Sequence, residues 1–122
     1  MDESIERYFR RMPVGRNSRP TRERLWNPAA DVFRTRDGWI VKLELAGVCP
    51  DEIEIEIDGS TLRVCGCRRD AFCRESVSYH QLEITYSRFE KTLNFPASIE
   101  GVRIEKSYRD GLLLIHLLRA DG

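Results

Sequence analysis

From Trp26 onward apolar residues recur at every second position, and a chain patterned this way can bury one face of an extended strand but not one side of a helix. The alternation falls into seven runs: Asp31 to Arg36, Trp39 to Leu45, Ile53 to Ile57, Thr61 to Cys67, Arg88 to Phe95, Val102 to Arg109 and Leu112 to Leu118. Each mixes β-branched, leucine or aromatic residues with polar ones and is predicted to be a strand. Asp37-Gly38, Asp58-Gly59 and Asp110-Gly111 separate successive runs, and Asp-Gly supplies the positive φ angles that tight hairpins need. Pro96 ends its strand because it cannot donate to a ladder, and Ala46 to Pro50 forms a connection that crosses between sheets. Short strands joined by tight turns predict an all-β fold, an antiparallel β-sandwich.

Parity assigns the faces. Val41, Leu43 and Leu45 oppose Lys42 and Glu44; Ile53, Ile55 and Ile57 oppose Glu52, Glu54, Glu56 and Asp58; Leu62 and Val64 oppose Arg63 and Cys65. The last run is apolar almost throughout, interrupted by His116, and is expected to be covered on both sides. The stretch Arg68 to Ser87 is too long for an ordinary hairpin connection. Within it Tyr79, Gln81, Glu83 and Thr85 alternate with His80, Leu82, Ile84 and Tyr86, one more strand on a protruding loop. Such a strand has to find an edge, and a second copy of the chain offers one.

The first 25 residues obey another rule. Ile5, Tyr8, Phe9 and Met12 fall at i, i+3, i+4 and i+7, the apolar stripe of a short amphipathic helix, with Arg7, Arg10 and Arg11 on the other side. Eleven residues hold a helix poorly in water without something to pack on, and Pro13, Gly15 and Pro20 break up the stretch between that helix and Leu25. Residues 1–25 are therefore read as a flexible arm, helical or disordered, residues 26–119 as the domain, and 120–122 as a short tail. The arm carries seven arginines against four acids, whereas the whole chain balances 20 basic against 20 acidic residues. That balance gives no sign of a nucleic-acid partner, and the longest apolar run, Leu112 to Ile115, cannot span a membrane. The N-terminus lacks the apolar stretch of a signal peptide, so a reducing cytoplasm is expected.

Catalytic chemistry finds little to stand on. The sequence lacks G-x-S-x-G, H-E-x-x-H, a phosphate-cradling glycine loop and G-x-G-x-x-G. A relay would have to unite His80 with His116 and a carboxylate across the fold. Cys49, Cys65, Cys67 and Cys73 lack the paired C-x2-C spacing of zinc sites and read as incidental reduced cysteines. Cys65 and Cys67 are expected to point outward and be accessible, which leaves a metal or redox role as the alternative. The acidic run Asp51 to Asp58 is strung along a strand rather than folded around a point, so it reads as a solvated face and not a calcium loop. Neither a cofactor nor a metal is expected.

Three stretches together resemble the small heat-shock proteins, the alpha-crystallin family, over residues 26–119. Lys106-Ser-Tyr-Arg-Asp-Gly-Leu-Leu113 is similar to the family's A-x-x-x-(N/D)-G-V-L, with Lys106 for Ala and Leu112 for Val. Arg88-Phe-Glu-Lys-Thr-Leu-Asn-Phe-Pro96 is similar to G-x-F-x-R-x-F-x-L-P, with Ser87 for Gly and Lys91 for Arg. Leu45-Ala-Gly-Val-Cys-Pro-Asp-Glu-Ile-Glu-Ile55 resembles L-P-G-V-x-x-x-(D/E)-I-x-V, with Ala46 for Pro.

The resemblance implies an immunoglobulin-like sandwich without the immunoglobulin disulfide, and an ATP-independent chaperone that keeps unfolding client proteins in solution. It implies a homodimer in which Tyr79, His80, Gln81, Leu82, Glu83 and Ile84 pair with Asp31, Val32, Phe33 and Arg34 of the other subunit. It further implies a groove lined by Ile53, Ile55, Ile57, Val102 and Ile104, where family members dock an I-x-I/V tail motif. This sequence ends at Gly122 without that motif, so a dimer, or a small assembly using the arm, is expected. Clients would meet that groove and the Ile5, Tyr8, Phe9 and Met12 stripe. The alternative function is a non-enzymatic, co-chaperone-like adaptor that docks on one folded partner.

Overall fold

The computed structural model describes residues 26–70 and 76–119. All seven alternating runs are strands there: β1 (Ala30–Thr35), β2 (Gly38–Glu44), β3 (Glu54–Asp58), β4 (Thr61–Cys67), β5 (Arg88–Asn94), β6 (Arg103–Arg109) and β7 (Leu112–Leu118). They form a four-stranded sheet in the order β1-β2-β7-β6 and a three-stranded sheet in the order β3-β4-β5. Every pairing is antiparallel. The connection after β2 crosses between the sheets as expected and holds a 3-10 turn, Pro50–Glu52.

The inward rows are the ones that parity assigned. Val41, Leu43 and Leu45 face Leu62, Val64 and Phe89 across the interior, joined by Leu113, Ile115 and Leu117. Burying these side chains drives folding, each contributing roughly 1.5–3 kcal/mol relative to exposure. Trp39 and Phe95 close one region of this core edge to face, their ring centroids 5.1 Å apart.

The Asp-Gly turns work in three different registers. Asp110 and Gly111 both adopt positive φ, 54° and 79°, the I′ geometry whose twist matches the flanking strands. Between β3 and β4 the loop is Gly59-Ser60, and between β1 and β2 it is Arg36-Asp37, so that Gly38 already opposes Thr35. A Cβ on Gly38 would sit 1.9 Å from the Leu117 carbonyl oxygen, and its φ is +152°. The glycine lets β2 run hard against β7.

Three expectations need correction. The last strand is not covered on both faces: β7 lies between β2 and β6, with Leu113, Ile115 and Leu117 in the core, but Leu114, His116 and Leu118 only half-buried on an outer face that has no second layer. Cys65 and Cys67 do point away from the core row, yet they are 7% and 3% exposed. Small side chains there sit below their neighbours: Cys65 lies between Glu54 and Glu90 in the ladder, and Cys67 beside Arg88. Finally, residues 79–86 form no strand in the single chain. An extended segment without an edge beside it has no ladder partner for its backbone groups.

Replacing Gly38 with alanine forces a side chain into the Leu117 carbonyl, so β2 and β7 must separate. Urea unfolding of Gly38→Ala is expected to show a loss of about 2–4 kcal/mol; a midpoint unchanged from the parent chain would refute this account of the β2–β7 contact.

Candidate functional site

Two unequal sheets cannot cover one another completely. The inward face of the four-stranded sheet is wider than the three-stranded sheet beneath it, and the overhang falls on the outer strands β1 and β6. Val32 opposes the fully buried Val41, and Ile104 opposes the fully buried Leu117, yet both are substantially exposed. On β1 the opposite face is apolar too: Phe33 is 42% exposed, with the Lys42 ammonium 6.0 Å from its ring centroid. Beyond β2, the far side of β1 has no strand partner. Its backbone N–H and C=O groups present a template for strand addition.

The segment from Ser76 to Tyr86 carries the complementary chemistry. Leu82 and Ile84 are exposed, Ile84 at 59%, and Val77 joins them. His80, Gln81 and Glu83 are exposed as well, and Tyr79 is half-buried. All ten residues assigned to a subunit contact by sequence thus lie on a free strand edge or on this segment.

The root of the segment is fixed by a residue that periodicity did not single out. The Arg68 backbone N–H donates to the Ser87 carbonyl at 2.9 Å, adding one rung beyond β4 and β5. Its Nε donates to the Thr85 carbonyl at 2.9 Å and its Nη1 to the Ala46 carbonyl at 3.2 Å. The guanidinium also lies 3.8 Å from the centroid of Trp26, a cation–π contact that a lysine reproduces poorly. Burial lowers the Arg68 pKa from its ordinary value, with Tyr86 and Glu44 opposing; the group stays charged at any physiological pH. Arg68 therefore ties together the loop root, the β2–β3 connection and the segment that leads into β1. Trp26 in turn donates its backbone N–H to the Arg88 carbonyl and packs edge to face on Phe89.

Because Trp26 runs along β5, β1 and β5 share one side of the sandwich, and β6 and β3 share the other. On that second side Ile55, Ile57, Val102 and Tyr108 are half-buried against the core, with Ile104 exposed between the sheets. Tyr108 is held by its hydroxyl, which donates to the Leu45 carbonyl at 2.8 Å. Ile53 does not contribute: it precedes β3, under the 3-10 turn, and is 5% exposed within the core. Ile5, Tyr8, Phe9 and Met12 lie outside the described residues, as does Cys73.

The acidic run is more than a solvated face. Glu56 pairs with Arg63, which also reaches Glu90 at 3.3 Å, and Glu52 pairs with Arg69. Among the described residues no group of three His, Cys, Asp or Glu is arranged to hold a metal, and no helix is long and apolar enough to cross a membrane. Burial pushes the Cys67 thiol up to about 11, with Arg88 opposing. Burial also raises Cys65, helped by Glu90.

Comparison with known proteins agrees with this geometry. The profile of the Hsp20/alpha crystallin family matches residues 31–121. The chain is 23% identical over 94 residues to small heat shock protein C4 of Rickettsia felis, covering 77% of this chain and 58% of that protein. It is 29% identical over 97 residues to heat shock protein 16 of Schizosaccharomyces pombe, covering 78% and 68%. The solved structure of heat shock protein 16.0 from the same yeast superposes with a TM-score of 0.68 at 29% identity, over 78% of this chain and 88% of that one. The chain spans a little over half the length of the first of these curated relatives.

The Cys67 thiol yields a pH dependence with a definite sign. The folded form holds this proton more tightly than the unfolded chain, so the group's contribution is complete below about pH 9 and is lost as pH rises toward about 11. Under reducing conditions the parent chain is expected to lose on the order of 2 kcal/mol more than Cys67→Ala across that window. Parallel pH profiles for the two, from urea titrations, would contradict a buried neutral thiol.

Proposed function

Because the chain belongs to the Hsp20/alpha-crystallin family, we propose that it is an ATP-independent holdase chaperone, binding unfolding proteins through exposed apolar surface and keeping them from aggregating. The observation that carries this reading is where the uncovered apolar side chains lie. Val32, Phe33, Leu82, Ile84 and Ile104 are exposed on free strand edges and on the 76–86 segment, not scattered over the sheet faces. Apolar side chains grouped on open backbone edges suit extended polypeptide, since main-chain hydrogen bonds give affinity and alternate side chains enter pockets.

In this reading two copies exchange their 79–84 segments. Each segment adds to the β1 edge of the other subunit and buries Leu82 and Ile84 against apolar residues such as Val32 and Phe33. That pairing satisfies the backbone groups of both strands at once. The groove of Ile55, Ile57, Val102 and Ile104 is left for clients, together with the Ile5, Tyr8, Phe9 and Met12 stripe of residues 1–25. Client burial supplies the driving force at roughly 25 cal/mol per Å² of apolar surface covered, so neither bond chemistry nor nucleotide is required. The cytoplasm, where unfolding proteins accumulate under stress, is the proposed location.

Heating an aggregation-prone enzyme with this protein, ATP omitted, is expected to suppress light scattering at a few-fold molar excess. Scattering that rises unchanged would reject the holdase. Substituting Leu82 and Ile84 with aspartate puts carboxylates where the exchanged strand buries apolar side chains, at a cost of several kcal/mol. Sedimentation of the double variant is expected to give a monomer with unaltered far-UV circular dichroism; a dimer would move the subunit contact elsewhere. A parent chain that is already monomeric at micromolar concentration and binds one folded partner stoichiometrically would favour the adaptor.

A further inference from the structure

The connection between the sheets makes one more backbone contact. Val48 forms an antiparallel bridge with Arg68, just past the end of β4. One step along the same register, Cys49 stands opposite Cys67. Directly opposed residues of an antiparallel pair have Cα atoms about 4.5–5.5 Å apart, inside the span of about 4.4–6.8 Å that a disulfide bridges. Orientation agrees with spacing. Val48 is in the core, Cys49 comes next in extended conformation and is exposed, and Cys67 points outward next to the inward Gly66. The two thiols are near enough for the charge of Cys49 to raise the Cys67 pKa.

We infer that Cys49 and Cys67 are a thiol–disulfide pair that closes when the protein meets a hydroperoxide. Their environments fix the order of events. Cys49 is exposed and reacts first: its thiolate attacks the terminal peroxide oxygen, the O–O bond breaks, and the alcohol or water leaves, giving a sulfenic acid. Cys67, buried and held protonated, is a poor first target. It resolves instead: its sulfur attacks the Cys49 sulfur, the S–O bond breaks, water leaves and the S–S bond forms. Two thiols and one hydroperoxide become one disulfide, one alcohol and one water, with both electrons supplied by the two sulfurs. A thiol reductant reverses the bond by exchange. Cys65 has no such partner, because the same register carried two steps further sets Asp51 against it.

Closing the bond pins the β2–β3 connection to the end of β4, next to the Arg68 cluster at the root of the 69–86 segment. The inference does not depend on the chaperone reading. It is tested on the full chain, reduced, freed of reductant and exposed to hydrogen peroxide at a few-fold excess. Non-reducing peptide mapping is expected to show a Cys49–Cys67 link, retained in Cys65→Ser and Cys73→Ser and absent in Cys49→Ser. The oxidised parent is expected to melt several degrees above the reduced form, a gain that dithiothreitol removes and that Cys49→Ser, altered at an exposed position, never shows. A link to Cys65 or Cys73, a link between two chains, oxidation of Cys49 to sulfinic acid without any link, or an oxidised chain no more heat-stable than the reduced one would each overturn the assignment.

Discussion

Burial of two opposed apolar rows holds this protein together, and the two rows belong to sheets of different width. Four strands packed on three leave an inward-facing margin that no second layer covers. In the centre the consequence is complete exclusion of water from Val41, Leu43, Leu62, Val64 and Ile115. At the margin the same geometry leaves Val32 and Ile104 pointing inward yet wet. The surface on which the proposed function rests is thus a by-product of the packing that stabilises the fold, and it is set by strand number before any side chain is chosen. A fourth strand added to the smaller sheet would cover part of that margin.

Much of this was legible in the sequence because β structure writes its faces in a period of two. All seven strands were found within a residue or two of their ends, and parity named the core residues of β2 and β4. What parity cannot report is cover. It gives the direction of Cys65 and Cys67 correctly but not their burial, which comes from longer neighbours on β3 and β5 and from the crossing connection. It marks Ile53 as one of a row with Ile55 and Ile57, whereas position before the strand places Ile53 inside. Arg68 left no periodic trace, since its partners Ala46, Thr85 and Trp26 are distant in sequence and two of them are met through backbone carbonyls.

Charge is distributed with a purpose that is not chiefly stability. The outer face of the smaller sheet is laced by Glu56, Arg63 and Glu90, and each exposed ion pair of this kind contributes about 0–1 kcal/mol. Their larger effect is to keep that face hydrophilic, so that apolar surface is confined to the strand margins. A chain with balanced charge and an apolar outer face would self-associate without direction.

The two ends of the sandwich are fastened in different ways. At one end the tip of the β3–β4 hairpin is sewn to the β5–β6 connection: the Phe95 N–H donates to the Ser60 carbonyl, the Ile99 N–H to the Gly59 carbonyl, and the Gly59 N–H to the Glu100 carboxylate. The other seam is the Arg68 cluster. With both seams closed, thermal breathing cannot begin by sliding one layer over the other. It begins by peeling at the rims, where β1 and β6 each hold on by a single ladder, so amide protons there exchange with solvent sooner than those of β7. Early peeling hands backbone to an incoming chain while the hydrophobic centre stays shut.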